Sequence, residues 1–205
     1  MALNIKIPGF RDFLNYVYDI RMFIFASIII FMFFAVIGYA VSVTSPGFTE
    51  ELVSGFEEQV SPMKELTPLG LMWGIFVNNA VKCFLVLVFG IFFGIAPILF
   101  MIANGFGIGI VVGATALEKG LLFVTVGILP HGIIELTMVF IATAMGLKLG
   151  YALVGLIMKR DVDILEEVKK AFLIFIFWVA PLLFVAAFVE TFITGTLLYL
   201  IFGGV

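Results

Sequence analysis

Long stretches without charge most constrain what this chain can fold into. The segment Met22–Val41 contains no charged side chain, and a helix that crosses the hydrocarbon core of a bilayer needs ~20 apolar residues. With 63% hydrophobic and only 12% charged residues, the chain has too little polar surface to cover a water-soluble domain. The sequence therefore predicts an all-α, polytopic membrane helix bundle. We expect it to be embedded in the lipid bilayer and to bind no nucleic acid.

The apolar segments predict five to six spans within one membrane domain, residues 1–205. The segment Gly105–Leu117 would form a helix only ~20 Å long, shorter than the ~30 Å hydrocarbon core. Because Pro130 should break the following helix, we expect a broken or re-entrant helix around residues 105–135. We expect Glu190 to end the preceding span. The tail after it would either cross the membrane or re-enter it. The other apolar segments are Met22–Val41, Met72–Ala103, Ile133–Leu147, Ala171–Val189 and the tail Thr191–Val205.

Three polar segments predict the topology. Residues 1–21 carry apolar and charged positions on opposite sides, which indicates an interfacial helix. Residues 42–71 contain five glutamates against one lysine, and Phe48, Leu52, Phe56 and Val60 recur at every fourth position, which predicts an outer amphipathic loop. Residues 159–170 hold four basic side chains. The positive-inside rule makes 159–170 a cytoplasmic loop and places the N-terminus of this multi-pass cell-membrane protein in the cytoplasm. Cleavage as a signal peptide after Gly38-Tyr39-Ala40 is an alternative, although the apolar region is longer than usual.

Polar side chains inside the apolar segments are the candidate functional residues, because such groups are expensive at membrane depth. The element Pro130-His131-Gly132-Ile133-Ile134-Glu135 holds the only histidine, one helical turn from a carboxylate. We expect Pro130, His131, Gly132 and Glu135 to act together as a structural or relay motif. The remaining intramembrane polar candidates are Asn78, Asn79, Lys82, Asn104 and Glu190.

Two stripes of small residues predict close helix packing. Gly105, Gly109 and Gly113 recur at every fourth position, the spacing that lets a second helix backbone approach closely in a membrane. Gly146 and Gly150, with Ala142, form a second stripe. The neighbour of either stripe could belong to the same chain or to a second copy, and we favour the same chain.

The pair His131 and Glu135 allows three interpretations. A metal site needs further ligands, and only Cys83, Asn78, Asn79, Asn104 and Glu190 are available at membrane depth. A proton or solute relay is possible, as is a hydrogen-bonded pair that fixes the broken helix. We favour the structural pair, and we therefore expect no metal and no cofactor. Since no nucleophile stands at a defensible spacing from His131, we also expect no catalytic residues and no enzyme activity.

Several motifs resemble the stage II sporulation protein M family. In chain order they are Phe76-Val77-Asn78-Asn79, Ala103-Asn104-Gly105, the element Leu129–Leu136 with its Pro-His-Gly-x-x-Glu pattern, and Gly146-Leu147-Lys148-Leu149-Gly150. The resemblance covers roughly residues 20–200 and implies an integral membrane protein. Its sporulation members resemble scaffolds that hold peptidoglycan-degrading partners at a septal membrane. Similar proteins also occur in organisms that make no spores, so the fold transfers more safely than the role.

Two functions from different classes follow. The first, which we favour from the sequence, is a non-enzymatic scaffold that forms homo-oligomers and organises membrane or envelope protein partners. The second is a permease or channel-like protein in which His131 and Glu135 line a solute or proton path. A cavity that reaches His131 would separate the two classes.

Overall fold

The chain folds entirely into helices over the residues that the structure describes. The structure is a computed structural model that describes residues 7–203, with the side chains of residues 59, 60, 63 and 64 left out; of the segment 1–21, residues 1–6 fall outside it, and so does the Val60 side chain. Seven helices follow one another along these residues. They are α1 (Phe10–Asp19), α2 (Arg21–Thr44), α3 (Pro46–Lys64), α4 (Pro68–Phe89), α5 (Ile95–Lys119), α6 (Leu121–Ile157) and α7 (Ile164–Phe202).

Five of these helices, α2, α4, α5, α6 and α7, are long and apolar enough to cross a membrane. This confirms the predicted all-helical membrane bundle and sets the number of candidate spans at five among residues 7–203. The helix α6 lies at the centre and packs against the other four. Its segment Ile141–Gly146 is buried at every position, as expected for a helix surrounded by protein rather than by lipid.

The turn that joins α4 and α5 lies at residues 90–94, not between the segments Met72–Ala103 and Gly105–Leu117 that the sequence predicted. Phe93 and Gly94 both have positive φ, 57° and 72°, and this left-handed pair reverses the chain between α4 and α5. Asn104-Gly105 instead lies in the middle of α5. The Asn104 amide is satisfied within the helix, since its Nδ2 donates to the Phe100 carbonyl oxygen at 2.8 Å.

Residues 105–135 therefore do not form a separate short helix. They comprise the second half of α5, a turn at Gly120 with φ of 86°, and the start of α6, and both helices are of spanning length. The predicted break at Pro130 is also wrong, since α6 continues through Pro130 without interruption. Proline is tolerated in membrane helices where neighbouring groups compensate for the missing hydrogen bond.

The last span differs from the sequence prediction in the same way. Glu190 lies inside α7 and does not end it, and the helix runs on to Phe202. Two stretches of α7 are π-helical, Phe175–Val179 and Val189–Thr194. The side chain of Asp163 caps the start of α7 by accepting from the backbone N–H of Glu166 at 3.0 Å. A side-chain oxygen at this position satisfies a backbone N–H that has no partner within the first turn of the helix.

The two short helices lie at opposite ends of α2. In α1, Phe13 and Tyr16 are buried, Phe13 stacks on Trp178 of α7, and the Trp178 indole N–H donates to the Pro8 carbonyl oxygen at 3.0 Å. The neighbouring side of α1 exposes the apolar Phe10, which also packs on Trp178, and Leu14, as an interfacial helix requires. At the other end, the acidic helix α3 leaves Phe48 and Phe56 exposed.

Both glycine stripes contact helices of the same chain. A methyl group added at Gly105 or Gly109 would fall on the carbonyl oxygens of Phe31 and Ala35 in α2. A methyl at Gly146 or Gly150 would fall on the backbone at the end of α4 and in the turn 90–94, and Gly113 lies against Ser42. The glycines therefore bring helix backbones within van der Waals contact.

Candidate functional site

Polar side chains from three spans converge at one depth of the bundle. His131 and Glu135 lie one turn apart on α6, Asn79 lies on α4, and Glu190 lies on α7. Counting 1.5 Å per residue, they lie about 15–20 Å along their helices from the end where α3 is located. Since the hydrocarbon core is ~30 Å thick, this is close to the middle of the membrane.

His131, Glu135 and Glu190 form a compact cluster. One ring nitrogen of His131 and one carboxylate oxygen from each glutamate all lie within 4.8 Å of one another, and all three residues are half-buried. Glu190 is thus the third group that the sequence could not place beside His131. An imidazole and two carboxylates at this separation can share protons or bind one cation.

The π-helical stretch of α7 brings two side chains to His131. Glu190 and Thr194 both lie in the stretch Val189–Thr194, and because they are four residues apart they share the face of the helix that meets α6. The Thr194 hydroxyl lies 3.2 Å from Nδ1 of His131 and 3.3 Å from the Val189 carbonyl oxygen, to which it donates. Thr194 was not predicted from the sequence. The signal that could have identified it is its position four residues after Glu190, which places both side chains on one face of a helix.

The helix α4 approaches Glu135 from another side. The side chains of Asn79 and Lys82 lie near the Glu135 carboxyl group. The Asn78 amide donates to the Asn79 oxygen at 3.2 Å, and Asn78 itself is exposed. Of the predicted polar candidates, the structure therefore gathers Asn79, Lys82 and Glu190 around Glu135, and leaves Asn78 at the edge.

A cavity leads to this cluster. Its volume is about 460 Å³, and it lies between α5 and α6 with Phe56 of α3 at its edge. Apart from His131, Glu135 and Asn104, the lining is apolar or glycine, which is the composition of sites that bind small molecules or ions. The lining residues are Phe56, Ala103, Asn104, Gly107, Ile108, Val111, Ile128, His131, Gly132, Glu135 and Leu136.

The glycines of the two stripes and Pro130 are not part of this cluster. Gly105, Gly109 and Gly113 face α2, while Gly146 and Gly150 face the end of α4. Gly132 is buried and lines the cavity. Because glycine has no side chain, it leaves space in the cavity beside His131. The structure thus separates residues that bring helices together from residues that can carry chemistry.

Comparisons with known proteins identify a family. The family model described as Stage II sporulation protein M matches residues 27–195. An uncharacterized protein of Methanocaldococcus jannaschii is 35% identical over 122 residues, which cover 58% of this chain and 68% of that protein. No solved structure matches the chain.

Proposed function

We propose that this chain, which belongs to the Stage II sporulation protein M family of membrane proteins, is a non-enzymatic permease or channel-like protein. Its intramembrane path would run past His131 and Glu135. The observation that carries this proposal is the cavity of about 460 Å³ that reaches both side chains. A rigid structural pair needs no such access. Glu190, one of the polar candidates of the sequence, has a carboxylate oxygen within 4.8 Å of ligand atoms of both His131 and Glu135, so the pair does not stand alone.

The convergence of polar groups supports the same proposal. Ionisable side chains inside a membrane bundle are rare and costly, and they mark ion or solute pathways in many transporters and pumps. Here His131, Glu135 and Glu190 come from two helices, and Asn79 and Lys82 from a third. Phe56 of α3 lines this cavity, so we expect a solute to enter from the end of the bundle where α3 lies.

Flux through the purified protein in liposomes tests the proposal. We expect the wild-type protein to increase the permeability of the liposome for protons or small cations, and the variants His131→Ala and Glu135→Gln to lose this flux while they reconstitute normally. The control is Glu118→Gln, at an exposed glutamate at the end of α5. Flux that stays equal in all four proteins, or equals that of empty liposomes, would contradict the path.

A second candidate is the scaffold, and the helix α3 is the observation that favours it. It lies outside the five candidate spans, and it exposes Phe48 together with the acidic side chains Glu50, Glu51, Glu57 and Glu58. Such an amphipathic surface suits a protein partner or a second copy. We expect the protein to form a homo-oligomer and the variant Phe48→Gln to weaken it. Mass photometry of the wild type and the variant in lipid nanodiscs measures the oligomeric state. A wild-type protein that is monomeric there would contradict the oligomer.

A further inference from the structure

The cluster of His131, Glu135 and Glu190 has the donor set of a metal site. We infer that it binds one divalent transition-metal ion, such as Mn²⁺, Fe²⁺, Co²⁺ or Zn²⁺, and that this class of ion is the solute of the intramembrane path. The inference rests on the proposed function for the path, but not for the binding site itself. The three ligand atoms already lie within 4.8 Å of one another, so a single ion can contact all three with small side-chain adjustments.

The chemistry of the donors selects the ion. Mg²⁺ and Ca²⁺ prefer oxygen ligands alone, whereas an imidazole nitrogen favours first-row transition metals and Zn²⁺. Two ionised carboxylates and a neutral imidazole together carry a charge of −2. A divalent cation neutralises this charge, which matters because an uncompensated charge is costly at membrane depth.

Thr194 prepares His131 to bind a metal. The Thr194 hydroxyl donates its hydrogen to the Val189 carbonyl oxygen, so its oxygen is available to accept from Nδ1 of His131, 3.2 Å away, in the tautomer that carries the hydrogen there. With its hydrogen on Nδ1, the neutral imidazole has an unprotonated Nε2, which can bind a cation. Metal-binding histidines commonly donate the other ring N–H to an oxygen in this way.

The site is accessible and its carboxylates are not consumed by ion pairs. His131 and Glu135 line the cavity, which offers a route for the ion and space for water or a further ligand at an open coordination position. In the described part of the chain, the ion pairs involve Lys148 with Glu167 and Lys170 with Glu166, and neither Glu135 nor Glu190. Lys82 lies near Glu135 but beyond ion-pair distance. We therefore expect its positive charge to weaken the binding of the metal ion without occupying the site.

Equilibrium binding to the full chain tests the inference. The protein is purified in detergent with a tag that contains no histidine, stripped with EDTA, and titrated with Co²⁺ by absorption spectroscopy and with Mn²⁺ and Zn²⁺ by calorimetry. We expect one ion per chain, a visible Co²⁺ spectrum, and much weaker binding of Mg²⁺ and Ca²⁺. The variants His131→Gln and Glu190→Gln should each lower the affinity at least ~10-fold, while Glu118→Gln should bind like the wild type. Melting temperatures of the apo proteins verify that the variants are folded.

The outcomes separate the site from the path. Loss of binding in both cluster variants, with wild-type affinity in Glu118→Gln, supports the metal site. No binding by the wild type, or equal binding by Glu190→Gln, overturns it. Metal binding without flux in liposomes leaves the site and removes the path, whereas proton flux without metal binding leaves the path and removes the metal.

Discussion

At the scale of single residues, Thr194 and Tyr16 show two opposite ways to bury a hydroxyl group. The Thr194 hydroxyl bridges the Val189 carbonyl oxygen and the His131 imidazole, and it thereby fixes the ring. The Tyr16 hydroxyl has no hydrogen-bond partner among the described residues. The first is a positioning group for the site, and the second is a source of pH dependence.

We expect Thr194→Val to weaken metal binding about 10- to 100-fold, because the valine cannot accept the Nδ1 hydrogen that orients His131. Valine has nearly the same shape as threonine, so the packing of α7 on α6 should be preserved. The control is Thr196→Val, which removes an exposed hydroxyl that donates to the Phe192 carbonyl oxygen in the same helix. Equal Co²⁺ affinities for the two variants in spectroscopic titrations would show that Thr194 does not position the imidazole.

Tyr16 should make the protein less stable at alkaline pH. Burial, assisted by the negative charges of Glu167 and Asp19, raises the pKa of the Tyr16 phenol far above its usual value of 10.0. Above pH ~10 the unfolded chain releases this proton and the folded protein retains it, so the free energy of unfolding falls as the pH rises. We expect Tyr16→Phe to reduce this loss of melting temperature between pH 9 and 11, whereas Tyr18→Phe, at an exposed position on α1, should leave it unchanged.

At the scale of helices, α2 and α5 depend on a glycine contact. A methyl group at Gly109 would overlap the Ala35 carbonyl oxygen, whereas a methyl at Gly107, on the same helix, has only Phe56 at an ordinary 3.5 Å. We therefore expect Gly109→Ala to lower the free energy of unfolding by about 1–3 kcal/mol or more. The matched Gly107→Ala should be neutral or slightly stabilising, since alanine is the better helix former. Similar melting temperatures of the two variants in detergent would contradict the tight α2–α5 contact.

The hairpin of α6 and α7 has an ion pair near its turn. The Lys148 ammonium lies 2.7 Å from Glu167, and both side chains are only 20–23% exposed. We expect Lys148→Met to lower the free energy of unfolding by roughly 1–3 kcal/mol, between the values for surface and fully buried pairs. The control is Lys170→Met, which removes the partner of Glu166 in a pair of the same length that is more than half exposed and should change little. Melting temperatures that fall equally in both variants would contradict this difference.

The sequence predicted helices better than it predicted where they turn. Runs of apolar residues fix the class of the fold, and the spacing of His131 and Glu135 fixes their common face. The turn at 90–94 was hidden, because it is as apolar as the helices it joins. Asn104, Pro130 and Glu190 suggested breaks, but the Asn104 amide bonds within its own helix and Glu190 meets a polar cluster. The cluster itself could not be predicted, because it joins residues 59 positions apart in sequence through the packing of α6 on α7.

At a larger scale, an odd number of candidate spans, five, is expected to place the two ends of the described residues 7–203 on opposite sides of a membrane. The α1 end of the bundle also holds the loop between α6 and α7, with Lys159 and Arg160, while the other end holds the acidic helix α3. Basic residues in short loops favour the cytoplasmic side. We therefore propose that α1 and the loop 158–163 lie in the cytoplasm, and that α3, whose Phe56 lines the cavity, faces outwards.

Single cysteines can test this orientation, because the natural Cys83 is buried and can be replaced by alanine. In that background we expect Glu57→Cys on α3 to react with a membrane-impermeant maleimide in intact cells. Asp161→Cys in the loop between α6 and α7 should react only after the cells are opened, although both positions are exposed on the protein. The reverse pattern would place α3 in the cytoplasm, and a metal ion that enters from the α3 end to bind at His131, Glu135 and Glu190 would then come from inside the cell. Labelling of both positions in intact cells would contradict a membrane between α3 and the loop, and with it the five-span topology.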